Sequence, residues 1–577
     1  MIEKGNVEAI YPLSPMQEAV LLHSLRGGEA DDGFLQLRWE LRGRLRVSAF
    51  QAAWERVVER HSALRASVHW RDVAKPLQVV RKKARLIWRI EDWRGLPAAD
   101  RDARLATFLR EDRVRGLDLG QAPPMRFALL QIEEEAFWFV WSCHHIFQDG
   151  WSGSLAFREG LAFYEAALSG EQPDVQSPGQ YRDFVAWLKR QDVDRSAAFW
   201  KTFLGGTQGP VPLNLPAPGD GGSGSFERTA TLDPELARSV ADFARENRLT
   251  LSTVLQGALA SLLAIYCGEN DVVFGTTVSG RPPEVQDSER MVGLLTNILP
   301  VRVIFVDEVP LASWLEQLQE RGATLRSHEH TPISRVQEWS GLSPRRPLFE
   351  TLFVFENYGW EGSTRAHPEG LRVGSFCGAL ASSVPMTLSC SPEPRFALTL
   401  LVDTSRYPMS AAEKVLDDLE RLLEAFVERP DRPLRELRGV VTPAARAGSG
   451  EASREVQVTA PRHDRGVDDD FVQPRTPTET LVARLWAEAL GFGEISVYDN
   501  FFDLGGTSLL SLSTVEQLER ACGIQINPGE LVYQTLGQLA ASLDERRAGL
   551  PDKAPEPAPR RGGSLLRLLG YGGVRRD

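Results

Sequence analysis

The run Phe137 to Cys143, FWFVWSC, is apolar at nearly every position and follows three glutamates, Glu133 to Glu135. Unbroken apolarity of that length, entered from a polar turn, predicts a strand buried on both faces. His144 and His145 close the run, so the strand should deliver them from deep in a lobe with their side chains on opposite faces. Asp149-Gly150 then predicts a turn into a helix beginning near SGSLAFREGLAFYEAAL. A carboxylate there is partly buried and needs a cation or hydrogen-bond donors, with an arginine the expected partner.

Helix-period and strand-like runs alternate from residue 1 to about 440, the pattern of an α/β protein. The periodicity stops between Pro443 and Arg475, a stretch rich in Gly, Ala, Pro and charge that reads as a linker. It resumes at TPTETLVARLWAEALG. Thr476 can cap this helix, Pro477 fits its first turn and Glu479 closes a capping box, while Leu481, Val482, Leu485 and Trp486 share one face. Helical segments continue to about residue 546, a unit of about 70 residues compatible with a small bundle. Within it, Gly505 and Gly506 loosen a turn before a helix whose apolar face includes Leu509, Leu512, Val515 and Leu518. Ser508 is thereby expected at an exposed helix N-terminus, where the dipole and free N–H groups favour a phosphate. Residues 547–577 form a Pro-rich tail whose SLLRLLG patch is a candidate docking segment.

A chain of 577 residues is too long for one core, which points to two large lobes and a smaller unit. The net charge of -12 argues against a nucleic-acid or anionic-membrane partner. No apolar run approaches the roughly 20 residues of a membrane helix, and MIEKGNVEAIYPLS lacks a signal-peptide core, so a cytoplasmic protein is expected. Cys143, Cys267, Cys377, Cys390 and Cys522 are scattered and never paired as C-x-x-C, against a disulfide framework or a zinc site. Taken alone, the histidines fit satisfied core residues. A zinc pair lacks a third ligand, and a Cys143–His145 nucleophile pair is geometrically conceivable.

The full run HHIFQDG, His144 to Gly150, has the HHxxxDG form of condensation domains from nonribosomal peptide synthetases. YPLSPMQEAVLLHSL, RHSALRASV, YRDFVAW, VSGRPPEV, MVGLLTNILPVRV and SPRRPLFETLFVFENY resemble that family's other signatures, in its order. DNFFDLGGTSLL resembles the DxFFxLGGxSL attachment motif of peptidyl carrier domains. The resemblance implies an α/β two-lobed chloramphenicol-acetyltransferase-like fold with a tunnel between lobes, the N-lobe at 1–180 and the C-lobe at 181–442. It further implies a linker at 443–475 and an all-α four-helix-bundle carrier domain at 476–546. His145 is implied as catalytic, His144 and Gly150 as shaping the site, Asp149 as structural and salt-bridged to Arg281, and no metal is called for. Ser508 is implied to carry 4'-phosphopantetheine, installed by a phosphopantetheinyl transferase.

The implied activity is that of an acyltransferase of secondary-metabolite or antibiotic biosynthesis. An amine on the Ser508 arm attacks a donor acyl or peptidyl thioester from an upstream donor carrier protein, forming an amide. Alternatives are an ester-forming variant with a hydroxyl acceptor, or a non-catalytic platform recruiting tailoring enzymes to the carrier. Epimerization domains share HHxxxD but expect a glutamate-bearing signature where SERMVGLLTNILPVRV stands, and heterocyclization domains replace the histidines with aspartates. Gln148 departs from a position often small in the family, and HEHTPISRVQEWSG is a loose match. Only the linker separates the two units, and no GxSxG elbow occurs, so an adenylation (loading) enzyme in trans and a downstream synthetase or release enzyme are implied partners.

Overall fold

The computed structural model describes residues 4–26, 33–71, 73, 75–216, 224–343, 346–356, 371–378, 382, 384–392, 395–442, 471–490, 494–501, 504, 508–524, 526 and 530–548. Strands β1 (Phe34–Arg42), β2 (Trp88–Asp92), β3 (Met125–Glu133), β4 (Ala136–His144) and β5 (Arg372–Gly378) form one sheet, in the order β5-β1-β4-β3-β2. The apolar run is β4, at the centre, antiparallel to β1 and β3 with Phe34 opposite His144. Every β4 residue except Trp138 is buried, as two covered faces require.

Helices α1 (Pro15–Arg26) and α2 (Gly150–Ser169) belong to this lobe. Trp39 of β1 stacks on Phe157 of α2 with ring centroids 4.2 Å apart, and Phe139 lies 5.6 Å from Trp39. This aromatic layer explains why β4 can be so apolar, since each such ring buries on the order of 200 Å².

The second lobe holds a six-stranded mixed sheet in the order Asn297–Ile304, Asp271–Val278, Thr351–Phe355, Met386–Ser391, Ala397–Asp403, Ser225–Thr231. The helix Leu251–Cys267 is apolar around its circumference and accordingly buried for most of its length. β5 lies within 181–442 in sequence but pairs with β1, Arg372 opposite Arg42, and covers the edge of the first lobe's sheet. A cluster that includes Ala63, Tyr181, Phe184, Val285, Met291 and Leu295 draws on both halves of the chain.

The third unit contains α3 (Pro477–Leu490), α4 (Ser508–Cys522), a single turn at Glu530–Tyr533 and α5 (Leu536–Ala548). Val482, Trp486, Phe501, Leu518 and Leu539 fill its core. The capping box forms: the Thr476 N–H donates to Glu479 Oε2 and the Glu479 N–H to Thr476 Oγ1, both at 3.0 Å. Val515 and Leu518 of α4 are buried, whereas Gly505, Gly506 and the side chains of Ser508, Leu509 and Leu512 lie outside the described residues. Most of the linker and the tail beyond residue 548 also lie outside them. Helix α4 lies against α1. Among the described residues no single helix is long and apolar enough to cross a membrane.

Candidate active site

β4 ends at His144, and His145 opens a 3-10 turn, His145–Phe147, where continuation of the strand was expected. The His145 N–H donates to Gly33 O at 2.8 Å and the Gln148 N–H folds back onto His145 O at 3.2 Å, which turns the chain out of the ladder. The two histidines are thus separated by a change of backbone rather than by the pleat.

His145 is half-buried, its Nδ1 2.8 Å from the Gln148 carbonyl. A carbonyl only accepts, so Nδ1 carries the hydrogen and Nε2 is left with its lone pair. Burial lowers the pKa of this ring, with the Gln148 carbonyl and the Asp149 charge acting the other way and His144 adding to the lowering. The ring is therefore a neutral imidazole at pH 7, able to accept a proton at Nε2.

Asp149 caps α2, accepting the Ser152 N–H at 2.8 Å. Its Oδ2 accepts the N–H groups of Leu295 and Thr296 at 3.0 and 3.1 Å. Arg281 closes on it in a fork, NH2 to Oδ1 at 2.9 Å and NH1 to Oδ2 at 3.1 Å, with side-chain exposures of 3% and 1% for Arg281 and Asp149. Burial alone would raise this carboxyl's pKa. Arg281 and the bonds from Ser152 outweigh it and bring the pKa down to about 2. The arginine predicted from charge compensation is therefore present, and the carboxylate is spanned by donors from both lobes.

Gly280 makes that approach possible. At its φ of +61° a side chain is strained, and a Cβ would stand 1.8 Å from Leu295 O. Gly150 is the first residue of α2, directly after the cap. The structure thus brings His144, His145, Asp149, Gly150 and Arg281 together. Ser508 opens α4 in the separate helical unit, which meets this lobe at α1.

Gln148 turns inward, its amide 2.7 Å from Cys143 Sγ. Burial pushes the Cys143 thiol pKa well above its ordinary range, which disfavours a Cys143–His145 nucleophile pair. The HEHTPIS segment is pinned by Asn297, whose amide donates to the Glu329 and Thr331 carbonyls, each at 2.7 Å. Beside it a crevice of about 390 Å³ is lined by Ser14, Trp187, Leu295, Glu329 and His330 among others.

Several residues that shape the site had no individual role legible in the sequence, although Gln17 and Ser24 lie in the YPLSPMQEAVLLHSL signature. Ser152 Oγ bridges Arg281 at 3.0 Å and the Gly293 carbonyl at 2.8 Å, and only its spacing of three from a capping aspartate hinted at a role. Gln17, Ser24 and Gly33 contact the histidine turn from distant segments.

Known proteins share this architecture. The condensation-domain family model matches residues 7–445, and the phosphopantetheine attachment site model matches 480–543. A linear gramicidin synthase from Brevibacillus parabrevis is 39% identical over 444 residues, covering 76% of this chain and 8% of that protein. Chondramide synthase cmdD of Chondromyces crocatus is 32% identical over 476 residues, covering 75% of this chain and 12% of that protein. The chain therefore spans only a small part of these relatives. The first condensation domain of the calcium-dependent antibiotic synthetase, solved with a substrate analogue, superposes with a TM-score of 0.63 at 18% identity, covering 75% of this chain and 99% of that one. A four-domain nonribosomal peptide synthetase bound to AMP and glycine superposes over 90% of this chain and 39% of that one, with a TM-score of 0.63 at 19% identity. At these identities the structural likeness establishes the two-lobed condensation fold.

Proposed function

The chain belongs to the condensation-domain family and carries a phosphopantetheine attachment domain behind it; from that premise we propose that it forms an amide bond between an acceptor amine held at Ser508 and a donor acyl or peptidyl thioester. The observation that carries this reading is the His145 Nε2 lone pair, fixed by the Gln148 carbonyl on the far side of a half-buried ring. Ser508 is the first residue of a 15-residue helix, whose opening N–H groups suit a phosphate ester. When attached there, 4'-phosphopantetheine supplies the thiol that holds the acceptor.

In this scheme the amine nitrogen attacks the thioester carbonyl carbon, His145 Nε2 orients the amine and takes its proton, the C–S bond breaks, and the departing thiolate regains a proton. An α-amine, with pKa near 7.7 to 8.0, is already partly neutral at cellular pH, so positioning contributes alongside proton transfer. Asp149 and Arg281 act structurally, locking the turn that presents the ring. The contact between α4 and α1 supports the acceptor role for the chain's own carrier. The donor would come on a second carrier, loading of Ser508 from an adenylating enzyme in trans, the arm from a phosphopantetheinyl transferase, and release from a downstream enzyme.

The test is intact-protein mass spectrometry of the full chain, its unmodified Ser508 first charged by a phosphopantetheinyl transferase from aminoacyl-coenzyme A and a donor acyl carrier then added. Amide product should accumulate on Ser508, and His145→Ala should slow it about 10² to 10⁴-fold. Wild-type rates in that variant would overturn the reading, preference for matched alcohol acceptors would make it an ester synthase, and ATP-dependent self-loading would remove the partner in trans.

A further inference from the structure

We propose that helix α1 is the positioning element of the histidine turn, with Ser24 anchoring the His144 ring by accepting its Nε2 hydrogen and Gln17 anchoring the residue after His145. The inference rests on the reading above, in which His145 does the chemistry.

His144 is fully buried, and both ring nitrogens have named partners. Its Nδ1 accepts the Ile146 N–H at 3.1 Å, so the ring hydrogen sits on Nε2. That Nε2 lies 3.1 Å from Ser24 Oγ, and the hydroxyl oxygen accepts from it. The opposite tautomer would set a ring N–H against the Ile146 N–H and leave Nε2 without its hydrogen. The Ile146 N–H thus selects the tautomer, and Ser24 accepts the Nε2 hydrogen that this tautomer carries, tying the ring to α1.

Seven residues earlier, at the other end of α1, Gln17 Nε2 donates to Ile146 O at 2.8 Å. Gln17 is itself fixed, its Oε1 accepting the Ser14 N–H at 3.0 Å and Gln78 Nε2 at 2.9 Å. The two grips are about 10 Å apart along the helix, so α1 resists rotation of the turn as well as its displacement. Gly33 completes the clamp. Its carbonyl accepts the His145 N–H, and a Cβ on it would stand 2.4 Å from His144 Cε1 and 2.9 Å from Ser24 Oγ. The helix holding the turn is also the one α4 meets, so the carrier rests on the element that orients the histidine.

Long-range 1H–15N spectra of the full chain labelled with [15N]histidine test this without any substrate. Wild type should show His144 hydrogenated at Nε2. Ser24→Ala should keep that tautomer but shift the His144 Nε2 resonance as its hydrogen loses an acceptor, and lower kcat about 10-fold with KM for the donor carrier unchanged, because the ring is less firmly held and its neighbour shifts. Ser24→Thr, which keeps the hydroxyl, should restore both readouts. If Ser24→Ala folds poorly, Ser24→Cys keeps the volume, weakens the acceptor and is read in the same two ways. An unchanged His144 Nε2 resonance and kcat in the alanine variant, where His145→Ala slows the reaction as expected, overturns the Ser24 assignment alone. Full activity of His145→Ala overturns the functional reading instead, while the His144 Nε2 resonance still judges Ser24.

Discussion

Two aspartates with the same exposure, 1% at each side chain, sit one in each lobe. Asp149 meets Arg281, itself sealed from solvent, and three backbone N–H groups. Asp418, on the helix Met409–Glu428, accepts the Tyr266 hydroxyl at 2.6 Å, Lys414 Nζ at 2.8 Å and Arg421 NH1 at 3.2 Å. Those two cations remain 30% and 60% exposed. Both acids are buried and paired, yet only Asp149 adjoins a ring with an open lone pair. A buried ion pair thus marks a site only through what stands beside it. The Asp418 cluster ties two helices together and has no such neighbour.

The widest separation between the two should be catalytic. His145→Ala should cost about 10² to 10⁴ in condensation rate with little change in melting, whereas Asp418→Asn should leave the rate per folded molecule untouched. A rate loss in the second variant would collapse the distinction.

Stability should separate them next. Arg281→Met strands a charge in the interior and should cost about 3 to 5 kcal/mol, read from urea midpoints. Lys414→Ala should cost about 1 kcal/mol or less, because the lysine is partly solvated and Tyr266 and Arg421 remain. Equal losses would show that solvent access to the cation does not decide the cost.

Acid sharpens the contrast further. The Asp149 pKa falls from the ordinary 3.8 to about 2 in the folded chain, so the pair stabilises fully above about pH 4 and the benefit disappears as pH drops toward 2. That amounts to about 2 kcal/mol, and Asp149→Asn should flatten this part of the acid-unfolding curve. The smallest effect belongs to Gln148→Ser. Its amide packs on Cys143, so the change should cost about 1 kcal/mol and leave the preference among acyl donors unaltered.

The sequence revealed what is local or obeys a period. The capping box at Thr476, the buried strand before His144 and the demand of Asp149 for a cation all follow from residues a few positions apart, and all stand in the structure. The strand-to-turn change at His145 was not readable, because the Gly33 carbonyl that draws its N–H away lies 112 positions earlier. Ser24 and Gln17 lie in the YPLSPMQEAVLLHSL signature but drew no role there, since a serine and a glutamine on a helix are ordinary until the fold sets them against a distant turn. The placement of β5 was hidden for a related reason: a short half-exposed strand fits any open sheet edge, and topology chooses among them.

That borrowed strand has a practical consequence for anyone recombining synthetases. A chimera joined near residue 180 would replace β5 together with the second lobe, leaving β1 to pair with a foreign segment along its outer rim. Such hybrids should express as aggregates unless the graft also retains residues 371–378 from the same parent as β1.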